Sequence, residues 1–323
     1  PKFGARVTYA MTKALFERWL EESLGAIPLR TNSLMVTLFG DAIAPHGGAA
    51  LLGGLIELVA PLGVNDRAVR TSVFRLMQED WLFATPTGRR SEYSLTGTGH
   101  RRIAHAYRRI YDTPQNAWNG EWQLVIVPDG ALATESRETL RRELLWDGFG
   151  TIAPGVFGLP SADARRVREI LSANNADAKV AHLSATSLTG IASEPLREIV
   201  EQCWRLGELA TDYERFIARF EPMLDWVAGA SSVHAQQCFL LRTLLIHEFR
   251  RIQLRDPQLP ESLLAKDWPG LAARTLCKQL YEKTLLNSEI HVCNTVQTKD
   301  GPLPPANAEL FERFGGLLLN AAA

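Results

Sequence analysis

The chain has 323 residues, 46% of them hydrophobic and 22% charged. This is an ordinary globular composition with room for two or three domains. The net charge of −1 argues against general electrostatic stickiness, and no run of eighteen apolar residues is present. Four cysteines, Cys203, Cys238, Cys277 and Cys293, form no CxxC pair, which argues against structural zinc. A soluble, reduced, cytoplasmic protein without signal peptide or membrane span is expected.

The first predicted elements are helices over 12–23 and from Thr31 onward, the latter carrying Leu34, Val36, Leu38 and Phe39. Glycines and Pro45 in the stretch 40–48 predict a loop. A helix follows over 51–62, and Pro61-Leu62-Gly63 reads as a turn.

The next segment carries the strongest signal. Asn65 is a favourable N-cap, and Asp66 suits the first turn of a helix. Val69, Val73, Leu76 and Met77 make one apolar stripe, while Arg67, Arg70, Thr71 and Phe74 share a different face. Beyond Trp81, two strands around Leu82-Phe83-Ala84 and Tyr93-Ser94-Leu95 are expected, with Pro86-Thr87-Gly88 as the turn. Residues 64–109 hold nine Arg against four acidic residues, so a basic segment sits on an otherwise acidic chain.

A basic helix followed by a basic hairpin is the layout of a winged helix-turn-helix. Arg67, Arg70 and Thr71 are placed to read base edges in the major groove of double-stranded DNA. Arg75, Arg89 and Arg90 are placed to hold phosphate, and Asn65, Ser91 and Tyr93 belong to the same DNA-facing set. The alternative reading is a solvated amphipathic helix beside a charged surface hairpin.

A basic helix over 100–111 and a linker over 114–120 come next. Strand 122–127, helix 135–146, two strands over 151–153 and 155–159, helix 162–173 and strand 179–183 then give the order βαββαβ, which is ferredoxin-like. From Pro195 the pattern is helical, with one period from Leu196 to Phe220 and further helices over 235–254 and 269–286. The fold class expected is α+β and multidomain. It comprises a winged helix-turn-helix domain over 1–112, a ferredoxin-like middle domain over 113–193 and an all-α C-terminal domain over 194–323.

An ordered set of short motifs spans nearly the whole chain. It includes Leu38-Phe39-Gly40-Asp41, Val69-Arg70-Thr71, Phe74-Arg75-Leu76, Gly88-Arg89-Arg90-Ser91, Tyr93-Ser94-Leu95, Trp118-Asn119-Gly120-Glu121-Trp122, Trp146-Asp147-Gly148-Phe149-Gly150, Leu245-Ile246-His247-Glu248-Phe249-Arg250-Arg251, Trp268-Pro269-Gly270 and Arg313-Phe314-Gly315-Gly316-Leu317. Taken together these residues resemble the phenylacetic-acid degradation repressor family (PaaX-like). The resemblance implies a homodimeric repressor that binds an operator inverted repeat. It also implies release by an aryl-acetyl-CoA such as phenylacetyl-CoA, an effector ligand rather than a cofactor, in the control of aromatic catabolism.

His247-Glu248 opens like a zincin helix, but Arg251 stands where the second His is required, so no metal site is expected. Arg250 and Arg251, with His247 beside them, are candidate ligands for the phosphates of an acyl-CoA. The alternative is the charged edge of a buried helix. Trp118 and Trp122, with Trp146 and Phe149, are candidates for an aromatic pocket, with a structural core as the alternative. Asp129, just after the first middle-domain strand, leaves a metal-dependent nucleic-acid-processing enzyme as the rival function. No nucleophile–base set is visible, so no enzyme is expected.

Overall fold

The computed structural model describes residues 2–112, 118–160, 164–186, 194–229 and 234–317. The linker expected over 114–120 falls largely outside them. By contacts the chain forms two compact units. The first comprises Pro1–Thr113, Glu214–Arg251 and Leu271–Ala323, and the second Pro114–Tyr213 and Ile252–Gly270.

In chain order the elements begin with helices α1 (Lys2–Ala26) and α2 (Thr31–Leu38). Strand β1 (Ala49–Leu51) and helices α3 (Leu52–Val59) and α4 (Asp66–Gln78) follow. Strands β2 (Leu82–Thr87) and β3 (Arg90–Leu95) lead into helix α5 (Gly97–Tyr111). The middle segment is β4 (Glu121–Ile126), α6 (Thr134–Trp146), β5 (Gly150–Ala153), β6 (Val156–Leu159), α7 (Ala164–Ala173) and β7 (Ala181–Thr186). Then come α8 (Glu194–Trp204), α9 (Leu206–Phe220), α10 (Pro222–Gly229), α11 (Ala235–Gln253) and α12 (Gly270–Thr295). A minimal hairpin of β8 (Gln297–Thr298) and β9 (Gly301–Pro302) and the short α13 (Glu309–Glu312) close the described chain.

The second unit has the expected βαββαβ order. Its sheet runs β5-β6-β4-β7 with every pairing antiparallel. Strand β4 is covered on both faces, so apolar side chains, Trp122 and Leu124 on one and Val125 on the other, stand on both. Val125 and Val127 pack with Leu140, Leu144, Val167, Ile170 and Leu171 from the two helices. Trp122 on the opposite face packs with Val200, Leu206, Leu259 and Leu263. Gly150 is required here, because a Cβ would meet the Trp204 ring at 2.7 Å.

The first unit departs from sequence expectation at 40–48. Instead of a loop, α2 continues through a π-helical turn, Phe39–Ile43, and a 3-10 turn, Ala44–His46. The breakers act only at Gly47 and Gly48, whose φ values are +90° and +75°. The reason is tertiary. A π turn loosens the helical ladder, and the carbonyl of Asp41 is instead bonded by Arg242 Nη2 at 3.0 Å and Arg313 Nη1 at 3.1 Å. The next three residues form β1, which pairs with β3 and completes the sheet β1-β3-β2. Strand formation there shortens the helix expected over 51–62 at its start.

Two other expectations shift. Pro86 lies within β2 opposite Ser91, and the turn is Gly88-Arg89. Proline is tolerated because β2 is an edge strand, and Gly88, with φ +57°, supplies the turn conformation. The single helical run expected from Leu196 to Phe220 is broken at Arg205, where φ is +50°. Helix α12 runs nine residues past its predicted end.

Asp41 is the centre of a buried ionic cluster. Its Oδ1 accepts from Tyr111 at 2.7 Å, Tyr281 at 2.9 Å and Arg313 at 2.7 Å, and its Oδ2 accepts from Arg242 Nε at 2.9 Å. Arg242 and Arg313 are 1% and 2% exposed. Arg242 also reaches Glu289 Oε1 at 2.5 Å, and Glu289 Oε2 lies 2.8 Å from His46 Nε2. His46 Nδ1 meets the Pro304 carbonyl at 2.6 Å. Both ring nitrogens therefore face acceptors, which only the doubly protonated imidazolium can satisfy. Burial alone would lower the His46 pKa, but the bonds to Glu289 and Pro304 outweigh it and raise it above 6.5. Burial likewise opposes ionisation of Glu289, yet the Arg242 charge and the His46 bond hold its carboxyl down at about 2.

Removing one member of such a cluster strands the others in low dielectric. Asp41→Ala is expected to destabilise the protein by about 3–5 kcal/mol in urea unfolding. A loss below about 1 kcal/mol would contradict the network's role. His46 binds its proton more tightly folded than unfolded. Its contribution is therefore complete below its unfolded pKa and is lost as pH rises through the raised folded one. The stability gap between the wild-type chain and His46→Gln should narrow as pH rises from about 6.5, the unfolded value, through the raised folded pKa.

Candidate nucleic-acid interface

Helix α4 forms for local reasons. Asn65 Oδ1 accepts from the Ala68 amide at 2.9 Å, and Asp66 stands in the first turn. Val69, Val73 and Leu76 are buried on the side facing α2, where Leu34, Met35 and Leu38 are buried in turn. The opposite side presents Arg67, Arg70, Thr71, Phe74 and Arg75 to solvent. Phe74 is 58% exposed, unusual for so large an apolar ring on a helix.

These residues are not equivalent. Arg70 is held by Asp66 at 2.6 Å, one helical turn away, with both side chains more than half exposed. Such a pair is worth about 0.5 kcal/mol or less, so it breaks readily for a better partner. Thr71 Oγ1 donates to the Arg67 carbonyl at 2.9 Å. Asn65, Arg67, Thr71 and Arg75 line a cavity of about 830 Å³, together with Arg30 and Ser33 beside the start of α2. Arg89 and Arg90 are exposed at the hairpin tip. Ser91 and Tyr93 are half-buried further down β3, where Tyr93 pairs with Ala84 on one side and Ala50 on the other.

Gly99 fixes α5 against the hairpin. A Cβ there would lie 2.3 Å from the Trp81 carbonyl oxygen. The Thr96 hydroxyl caps α5 by accepting from the Gly99 amide at 2.9 Å and donates to the Asp80 carbonyl at 2.7 Å.

The proposed ligand residues separate into the two units. His247, Arg250 and Arg251 belong to the first, and Trp118 and Trp122 to the second. His247 is fully buried, and burial, then the charges of Arg250 and Arg251, lower its pKa to about 3. It is neutral, and its Nδ1 lies 3.0 Å from Thr37 Oγ1. Thr37 donates to the Ser33 carbonyl at 3.1 Å and so accepts from the ring. Arg251 is exposed. Arg250 is half-buried and lines the same cavity as Arg67 and Arg75, a placement that no local pattern around α11 encodes.

Trp118 and Trp122 stack edge-to-face at 5.8 Å within the core that includes Val200 and Leu259. Trp146 is 58% exposed and Phe149 is 2% exposed in the other core of that unit, so the four aromatics do not share one pocket. Asp129 is 98% exposed and pairs with Arg137 at 3.2 Å. Among the described residues no group of three His, Cys, Asp or Glu could hold a metal. None of their helices is long and apolar enough to cross a membrane. Cys238 and Cys277 are buried, Cys203 is half-buried and Cys293 is exposed.

Sequence reasoning missed the Asp41 cluster. A signal existed: Arg242 interrupts Cys238-Phe239-Leu240-Leu241 and Leu244-Leu245-Ile246, and Asp41 lies between Phe39 and Ala42-Ile43. A charge inside an apolar run implies a buried partner.

Comparison with known proteins gives matches along most of the chain. Residues 30–99 match the family described as PaaX-like protein, 115–197 the PaaX protein central Cas2-like domain, and 204–294 the PaaX-like protein C-terminal domain. The transcriptional repressor PaaX of Escherichia coli (strain K12) is 35% identical over 308 residues, covering 95% of this chain and 97% of that protein. A solved structure, the uncharacterized protein Rv0674 from Mycobacterium tuberculosis, aligns with a TM-score of 0.50 at 21% identity. It covers 80% of this chain and 98% of its own, and bears on the fold alone.

The N-cap gives a direct test of the α4 geometry. Asn65→Ala is expected to lower unfolding free energy by about 1 kcal/mol in a urea titration, and an unchanged midpoint would contradict the capping bond.

Proposed function

The chain belongs to the PaaX-like family, and from that premise we propose that it is a transcriptional repressor of phenylacetate catabolism, not an enzyme. The element order α2-β1-α3-α4-β2-β3 supports reading the segment from Thr31 to Leu95 as a winged helix-turn-helix. The observation that carries the proposal is the exposed face of α4, where Arg67, Arg70, Thr71 and Arg75 stand clear of the buried stripe and the Arg89-Arg90 hairpin follows.

In this reading α4 enters the major groove. Arg67, Arg70 and Thr71 meet base edges, with Arg70 exchanging Asp66 for guanine. The ring of Phe74 is available for a thymine methyl. Arg75, Arg89 and Arg90 hold backbone phosphate, and the conformation of the hairpin carrying Ser91 and Tyr93 sets where the tip falls. The repressor acts in the cytoplasm as a homodimer whose two-fold axis meets an operator inverted repeat. Release follows binding of an aryl-acetyl-CoA, phenylacetyl-CoA or a related thioester, whose phosphates Arg250 and Arg251 attract. Linkage then requires operator DNA to weaken effector binding by the same factor.

Fluorescence anisotropy at fixed salt, with DNA from upstream of the chain's own coding region, tests this. Tight binding relieved by phenylacetyl-CoA but not by phenylacetate is expected. The absence of specific binding would overturn the repressor reading. Arg70→Ala should cost about 1–3 kcal/mol of operator affinity and relax specificity at one base pair, while an unchanged affinity would remove Arg70 from the base-reading set.

A further inference from the structure

The cavity beside α4 is lined by four arginines, Arg30, Arg67, Arg75 and Arg250, against one carboxylate residue, Glu79. At about 830 Å³ it is far larger than a phosphate group. Three of the arginines are exposed on the α2 and α4 side, but Arg250 arrives from α11. Its Nη1 lies 3.4 Å from Ser33 Oγ and 3.3 Å from Thr37 Oγ1. Both are neutral hydroxyls, and the bonds are long for a guanidinium.

No carboxylate among the described residues pairs with Arg250, in contrast to Arg219, Arg242 and Arg313 of the same unit. Burial lowers the Arg250 pKa, yet a guanidinium stays charged. Its neighbour His247 is neutral and contributes no compensating charge. A half-buried cation without a counter-ion, opening onto a cavity with three further cations, needs an anion from outside.

We propose that Arg250, with Arg30 and Arg75, forms a phosphoryl-binding site that holds either a backbone phosphate of DNA or a phosphate group of the effector, but not both at once. Several guanidiniums lining one cavity suit a multiply charged phosphate ester better than a lone carboxylate. Release of DNA then contains a competitive part, because the effector's phosphate occupies the place of a DNA phosphate. This rests on the repressor reading above, and it relocates the effector's phosphates to the DNA-facing side.

The test uses the full chain and pyrophosphate as probe. Wild-type protein should bind pyrophosphate saturably by calorimetry and release operator DNA as pyrophosphate rises, with ionic strength matched by chloride. Arg250→Met keeps the length of the side chain and removes the stranded charge. It should raise the thermal midpoint, weaken pyrophosphate at least tenfold, and reduce the salt slope of DNA binding by about one. Arg75→Gln, on the exposed face, should weaken pyrophosphate without a change in folding. A purely structural Arg250 would lower the midpoint on substitution. Pyrophosphate binding that survives Arg250→Met, or a DNA salt slope that does not change, would overturn the shared site. Absence of operator binding by the wild-type chain would instead overturn the repressor reading, and with it the sharing.

Discussion

The carboxylate of Asp41 is the constraint on which the first unit depends. Four side chains from α5, α11, α12 and the segment after α13 converge on it, and its carbonyl takes two further bonds. Burying so many charges gains little net stability, because desolvation consumes most of the Coulombic attraction. What the cluster supplies is uniqueness. Arg242 and Arg313 have no equivalent place to go, so α2, α11 and α12 are held in one register. The π turn, which opens the helical ladder at Asp41, is the local deformation that lets both arginines reach the same residue.

From that anchor the geometry propagates by ordinary packing. Helix α2 buries Leu34, Met35 and Leu38 toward the Val69-Val73-Leu76 stripe of α4. Gly54 lets the chain at Thr295-Val296 approach α3, since a Cβ would lie 2.9 Å from the Thr295 carbonyl oxygen. Lys299 extends the same logic to the sheet, with its amide bonded to Glu92 Oε1 at 2.8 Å. The basic face of α4 is thus carried on elements gathered from the beginning, the middle and the end of the sequence. Arg242 and Arg250 illustrate two solutions on one helix. The first is fully paired and organises the core, while the second, beside the cavity, has only hydroxyl partners and, among the described residues, no carboxylate.

Much of this was legible in the sequence, for identifiable reasons. Asn65, Asp66 and the Val69-Val73-Leu76 period specified α4 locally, and the succession of short apolar runs and helical periods specified the order from β4 to β7. What escaped reading was decided by distant partners. The stretch 40–48 carries every mark of a loop, yet it is helical as far as His46, with Asp41 held by Tyr111, Arg242, Tyr281 and Arg313 from distant parts of the chain. The extent of β1 depends on β3, and the break at Arg205 depends on one positive φ. For the candidate site, the α4 arginines could be read from helical spacing. The arrival of Arg250 in the same cavity could not, because no local pattern encodes the proximity of α11 to α2. Trp118 and Trp122 show the opposite limit: aromatic residues in a recurrent pattern describe a core as readily as a pocket.

Mechanical continuity between the Asp41 cluster and α4 is the central claim. Hydrogen exchange, followed by mass spectrometry on the full chain, measures it most directly when the wild type is compared with Arg242→Met. Amides of α4 and of α12 are expected to lose protection together and by similar factors, because one cooperative unit contains both. Faster exchange confined to α11 and α12, with α4 unchanged, would contradict it.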